Sequence, residues 1–269
     1  MRRRGSHSVG VGSCRLAFSL IELLTVVAII SILMAVTVAA LHRARILACR
    51  TVCASNLRQI ATAWLTYLND HDQRFYQQVN ANHDFGGWKG RGSGALDRPL
   101  NPYLALPAAV NEPGGAEAFH CRGDVGDRDY GSEAYLYYGN SYQTNLVLIG
   151  PDSLPARQGL PEPIRTLNSR INRHLVNLRA DVLSDWARLL LVGDNNWVTQ
   201  WDPLIPFEGR AWHGKNGRYN LAFLDGHVAF TEIHRGVYIN NDYRIQPFRE
   251  LDDITHEMQS QIVELCGGQ

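Results

Sequence analysis

Three observations predict an α+β fold in which a long N-terminal helix runs into a small antiparallel β-sheet domain. Residues 18–41 form a predominantly apolar run with one charge, Glu22. Residues 18–70 contain neither Pro nor Gly, so nothing in that stretch breaks a helix. Toward the C-terminus, apolar stretches flank Asp225-Gly226, a pair favoured in two-residue hairpin turns where both turn residues need positive φ.

The first helix begins as a membrane-length segment. About 20 apolar residues cross roughly 30 Å of hydrocarbon, and residues 18–41 are long enough. A carboxylate near the start of such a helix is costly, which marks Glu22 as a residue with a partner. A basic stretch, Met1-Arg2-Arg3-Arg4, precedes the run, and the small residue Ala17 stands at its threshold. A secretory signal peptide places its cleavage site after the apolar core. A cut at Ala17 would instead leave the core in the mature chain.

Past residue 41 the helical pattern continues. Leu47, Val52, Leu57, Ile60, Ala61, Trp64 and Leu68 recur at helical spacing, with Arg45, Arg50, Arg58 and Gln59 on other faces. The chain therefore divides into a leader (1–17), an apolar helix (18–41), a helix continuation packed on a globular domain (42–70) and that α+β domain (71–269). The last part is long enough for a core of its own.

Within it, residues 82–116 are rich in Gly, Pro and Asn and read as variable surface loops suited to partner contacts. Residues 134–138 and 187–192 read as strands. With the hairpin at 219–233 they form the sheet, and residues 175–182 read as a short helix or loop. Trp186, Trp197, Trp201 and Trp212 fall close together. Trp186 and Trp212 are read as core. Trp197 and Trp201, set among Asn195, Asn196 and Asp202, are read as surface contacts.

Charge is balanced, with 26 Lys and Arg against 26 Asp and Glu, so a nucleic-acid partner is not suggested. Losing residues 1–17 removes four arginines and leaves a mildly acidic chain. Arg2, Arg3, Arg4 and Arg15 outweigh Arg43, Arg45 and Arg50 slightly, which leans toward a cytoplasmic N-terminus. No nucleophile elbow, H-E-x-x-H or phosphate loop is present, so no catalytic residues are assigned.

One metal reading is open. His213, Asp225 and His227 are suitable ligands for a metal-dependent enzyme if a turn unites them. The plainer reading gives Asp225 and Gly226 to the turn, His227 to the return strand and His213 to a loop cap. The plainer reading is preferred, and no cofactor is assigned.

The stretch Ala17-Phe18-Ser19-Leu20-Ile21-Glu22, with its basic leader and uninterrupted apolar helix, resembles the N-terminus of type IV prepilins and type II secretion pseudopilins. The departure is Ala17 where the family usually has Gly. The segment Cys53-Ala54-Ser55-Asn56-Leu57-Arg58-Gln59-Ile60 resembles a subgroup with C-x-x-N-L-(R/K)-Q-I and a C-terminal H-x(9)-D-G motif. Here eleven residues, not nine, separate His213 from Asp225.

The resemblance implies a pilin-like fold and cleavage between Ala17 and Phe18 by prepilin peptidase, with N-methylation of Phe18. It implies that Glu22 is neutralised in a filament by the N-terminal amine of a neighbouring copy. Other pseudopilins, membrane lipid and an inner-membrane secretion platform would be the partners, with the C-terminal domain periplasmic. It marks Cys53 and Cys121 as a candidate disulfide, the alternative being two free buried thiols. Calcium, bound by some pseudopilins, maps onto no residues of this chain. The alternative from another class is a membrane-anchored periplasmic carbohydrate-binding protein or metal-dependent enzyme.

Overall fold

The computed structural model describes residues 19–77, 82–92, 97–126, 131–149, 162–175, 178–202 and 212–266. The leader, Ala17 and Phe18 lie outside them. Two compact units meet in sequence at Arg45 and Ile46.

Helix α1 (Leu20–Asp70) runs through 51 residues. Its first part is long and apolar enough to cross a membrane. Every large apolar side chain from Leu20 to Leu41 is exposed within the chain. The hydroxyls here are satisfied by the helix itself: Thr25 donates to Glu22 O at 3.0 Å, Ser31 to Val27 O at 2.7 Å and Thr37 to Leu33 O at 2.9 Å. These three hydroxyls then need no water, which hydrocarbon would not supply.

In the second unit α1 buries Cys53, Leu57, Ile60, Ala61, Trp64, Tyr67 and Leu68. Leu47 and Val52 were expected on this face but are 52 % and 42 % exposed. At 100° per residue, Val52 is turned away from the stripe that Cys53 and Leu57 define. Trp64 packs against Phe75 and Phe85, with ring centroids 6.1 and 5.9 Å away.

The sheet has four antiparallel strands in sequence order: β1 (Tyr142–Thr144), β2 (Leu190–Asp194), β3 (Arg218–Phe223) and β4 (Val228–Glu232). Tyr142 faces Asp194, Gly193 faces Leu221, and Leu221 faces Ala229. β2 is buried along its whole length, as Leu190-Leu191-Val192 suggests. The β3–β4 turn differs from a two-residue Asp-Gly turn. Gly226 N–H donates to Phe223 O at 2.9 Å and Phe223 N–H to His227 O at 3.0 Å, which makes a three-residue loop. Only Gly226 takes a positive φ, +91°, while Asp225 does not. Glycine supplies the left-handed position of a bulged hairpin.

Residues 134–138 are not a strand. They form helix α2 (Ala134–Tyr138). The Asp124 carboxylate accepts from Ala134 N–H at 3.1 Å and Tyr135 N–H at 2.9 Å, capping the helix from a distance. Gly139, at φ +84°, ends it. A Cβ on Gly139 would overlap Trp88 O. Burial pushes the Asp124 carboxyl above its usual range, against the hydrogen bonds it accepts from Ser141 and three amides.

Among the described residues the unit has three more α-helices: α3 (Glu162–Leu175), α4 (Trp197–Trp201) and α5 (Asp252–Cys266). α3 packs on α5. Residues 175–182 hold the end of α3 and a 3-10 turn at Ala180–Val182. Trp197 and Trp201 are 1 % and 3 % exposed, so the expectation of surface contacts is corrected. Asn195 and Asn196 are buried too, with Asp202 partly exposed: Asn196 N–H donates to Gln143 Oε1 at 2.9 Å and Trp197 Nε1 to Gln143 O at 3.0 Å. Trp212 is buried, and Trp186 is partly buried against the core.

The glycine-rich segment also turns inward. His83, Asp84, Phe85, Trp88, Arg98, Leu100 and Asn101 are buried, which corrects the surface-loop reading for this part of residues 82–116, while most of residues 102–115 are exposed or half-exposed as expected. The reason is Arg98. It pairs with Asp84 at 3.2 Å and donates to the carbonyls of His83, Lys89 and Tyr138 at 3.0, 3.1 and 2.8 Å. Irregular backbone can be buried when its carbonyls find such a donor.

His83 lies beside this pair, stacked on Tyr138 at 3.9 Å with Nε2 3.0 Å from Asn195 Oδ1. Burial lowers its pKa to about 4. The unfolded chain binds this proton below about pH 6.5 and the folded chain does not, so stability falls as pH drops from about 6.5 to about 4. The shift corresponds to roughly 3 kcal/mol. Denaturant titrations of the detergent-solubilised chain at pH 7 and pH 4 should show that loss, and His83→Gln should remove most of the difference. An unchanged pH difference in the variant would assign it to other groups.

Candidate functional site

Two sets of residues have chemistry beyond packing. The first is the start of α1. Glu22 Oε2 accepts from Ser19 N–H at 3.0 Å, so the carboxylate turns back over the first turn of the helix. A carboxylate there is favoured by the N–H ends of the helix. Among the described residues Glu22 has no cationic partner. Ala17 and Phe18 lie just before the first described residue.

The second set is buried at the sheet. Cys121 follows a 3-10 turn at Glu117–Phe119 and is joined to Cys53 of α1 by a disulfide, with Cα atoms 5.2 Å apart. Asn56, one turn further along α1, donates to His120 O at 3.1 Å and fixes the same strand of chain. The C-x-x-N spacing thus places two ties on one face of the helix.

His213 joins this cluster instead of capping an exposed loop. Its Nε2 lies 3.6 Å from Cys121 Sγ and 3.1 Å from Asp194 Oδ2, and both His213 and Asp194 side chains are 1 % exposed. Asp194 ends β2 and also accepts from Asn220 N–H of β3 at 2.7 Å. The imidazole approaches closely because residue 123 is Gly: a Cβ there would sit 2.8 Å from His213 Cε1. Gly214, at φ +77°, turns the chain directly after the histidine. Burial first, then the Asp194 carboxylate, hold the nearby Tyr142 phenol well above its ordinary pKa.

The structure brings Asp225 and His227 together but keeps His213 apart from them. Asp225 Oδ1 lies 2.6 Å from His227 Nδ1 and 3.0 Å from His227 N–H, at an exposed hairpin tip. His227 also stacks on Phe223 at 4.2 Å. The three do not converge on one ion. Among the described residues, the one group whose ligand atoms lie within 4.8 Å of each other is Cys53, Cys121 and His213. Asp194 and Asn56 escaped the sequence reading. The Gly193-Asp194 step at the end of a strand was the signal for the first.

Arg50 adds a contact to the same side of the domain, its guanidinium 4.6 Å from the Phe230 ring centroid of β4. α1 is therefore held to the sheet domain by a covalent bond, a hydrogen bond and a cation–π contact within seven residues, Arg50 to Asn56. Comparison with protein-family models, with curated proteins and with solved structures finds no match to this chain.

Proposed function

We propose that the chain is a pseudopilin-like subunit of a type II secretion or type IV pilus-like assembly, structural in role and anchored in the cytoplasmic membrane until assembly. Glu22 carries the reading: it is the one charge in an exposed apolar helix and has no cation within the described chain. A buried carboxylate without a partner is unstable in lipid and in a packed bundle of helices. Cleavage between Ala17 and Phe18 would create an α-amine that a neighbouring copy can offer to Glu22. The internally satisfied hydroxyls of α1 suit both surroundings, lipid before assembly and helix packing after it. The disulfide and Asn56 support a domain that travels with its helix as one piece.

Prepilin peptidase, other subunits and the secretion platform in the inner membrane are the partners this reading requires. Intact mass and N-terminal sequencing of chain purified from membranes containing the peptidase should give N-methylated Phe18 as the first residue. Glu22→Ala should leave that processing in place and reduce recovery of sheared filaments to background. A chain that keeps Met1 or Arg2, or filaments that form as well without Glu22, would sink the proposal.

A further inference from the structure

We infer that when Cys53 and Cys121 are reduced, their sulfurs and His213 Nε2 hold a zinc-like divalent cation, with the Asp194 carboxylate in the fourth position. The inference is independent of the filament reading. It starts from convergence: the three ligand atoms lie within 4.8 Å of one another. His213 Nε2 is 3.6 Å from Cys121 Sγ and 3.1 Å from Asp194 Oδ2. Around a tetrahedral zinc, with bonds of about 2.0–2.3 Å, neighbouring ligand atoms are roughly 3.3–3.8 Å apart. The His213–Cys121 and His213–Asp194 pairs already stand near those spacings; the two sulfurs must separate, and the Asp194 carboxylate, outside the group of three, must move toward them.

The donors come from four places in the fold: α1, the chain after the Glu117–Phe119 turn, the end of β2 and the loop before β3. Thiolate and imidazole donors favour zinc over calcium or magnesium, which prefer oxygen. A separate observation points the same way. Asp194 Oδ1, His213 Nδ1 and Asn220 Nδ2 are buried without a hydrogen-bond partner. Of the three, Asp194 Oδ1 is the lone-pair atom that an ion could satisfy. Asn220 N–H, 2.7 Å from Asp194 Oδ2, is the outer contact that orients the carboxylate.

The proton balance is simple. Each thiol releases one proton on binding. His213 binds through Nε2 as the neutral ring, its proton on Nδ1, so the contact of Nε2 with Asp194 gives way to a bond from each to the ion. Because both cysteines are fully buried, binding is coupled to folding. A disulfide donor reverses it: two electrons pass from the two thiolates to the donor, the Cys53–Cys121 bond forms, the donor leaves as a dithiol after taking up two protons, and the ion is released.

Cobalt(II) is the probe, because cobalt held by thiolates in a tetrahedral site has charge-transfer and visible bands. The full chain carrying Cys14→Ser, Cys49→Ser and Cys266→Ser would be reduced in detergent with a phosphine and titrated anaerobically. The expected result is one cobalt per chain, displaced by zinc, with the bands bleached by an added small-molecule disulfide. Asp194→Asn should weaken cobalt binding about 10–100-fold. His213→Ala should abolish the tetrahedral bands, and His213→Cys should restore them with stronger thiolate absorption, which a folding defect alone would not do. No bands in the reduced chain, folded or not, would overturn the proposal, as would bands unchanged by both His213→Ala and Asp194→Asn.

Discussion

Replacing Arg98 by methionine lowers the unfolding free energy by about 3–5 kcal/mol, the usual cost of removing one partner from a buried ion pair. Both side chains of the Arg98–Asp84 pair are fully buried. Burial already pulls the Arg98 guanidinium below its ordinary pKa, a sign that its surroundings disfavour charge. Without it, Asp84 loses its cation and three carbonyls, one of them fully buried, lose a donor. Methionine fills much of the volume, so the loss reports the polar network more than a cavity. A second change, Asp84→Leu, should recover about 1–3 kcal/mol by removing the buried carboxylate whose cation is gone. Denaturant unfolding of the full chain in detergent at pH 7 measures both. A loss under about 1 kcal/mol for Arg98→Met would mean that the network contributes only geometry.

Breaking the Cys53–Cys121 bond comes next in size. The bridge closes a loop with a sequence separation of 68. Loop-closure entropy then predicts about 4 kcal/mol of stabilisation. For a domain of this size that corresponds to a fall in Tm of roughly 8–16 °C. The comparison should be made between oxidised and reduced chain in the presence of a chelator. The same fall is expected for the double variant Cys53→Ala with Cys121→Ala, with an extra cost from lost packing. Equal melting temperatures for the oxidised and reduced chains would show that the bridge does not restrict the unfolded ensemble enough to matter.

These two effects sit in parts of the chain that differ in how far the sequence reveals them. α1 is legible because its signal is long and unopposed: 51 residues without Gly or Pro. The hairpin is legible because Asp225-Gly226 interrupts two apolar strands, although which residue takes the positive φ is not. α2 was misread because Ala-Tyr-Leu-Tyr-Tyr suits a strand by propensity. Its true markers are Gly139 just past its end and a cap, Asp124, ten residues upstream of the first capped amide. α3 was overlooked despite Ile164, Leu167, Ile171 and Leu175, all buried on one helical face.

The buried polar residues were hardest to read. Asn195 and Asn196 made Trp197 and Trp201 look like surface, because a single chain does not show that Gln143 and His83 meet those amides. Arg98 in a loop reads as solvent-exposed until the carbonyls around it are placed. His213 is the same case: its partners, Cys121 and Asp194, lie 92 and 19 positions away, and no local pattern links them.

The covalent tie at Cys53 has a mechanical meaning. Cys53 is the first buried residue of α1, three positions past the Arg50–Phe230 contact. Tension on the apolar part enters the sheet domain through a sulfur–sulfur bond and reaches Cys121 directly, bypassing the loop between them. The helix beyond Cys53 cannot be peeled from the core one contact at a time, since its near end is welded. A pull on α1 ahead of Cys53 would therefore be shared between the disulfide, Asn56 and the buried face of the helix, and reducing the bond would leave the noncovalent contacts to carry it alone.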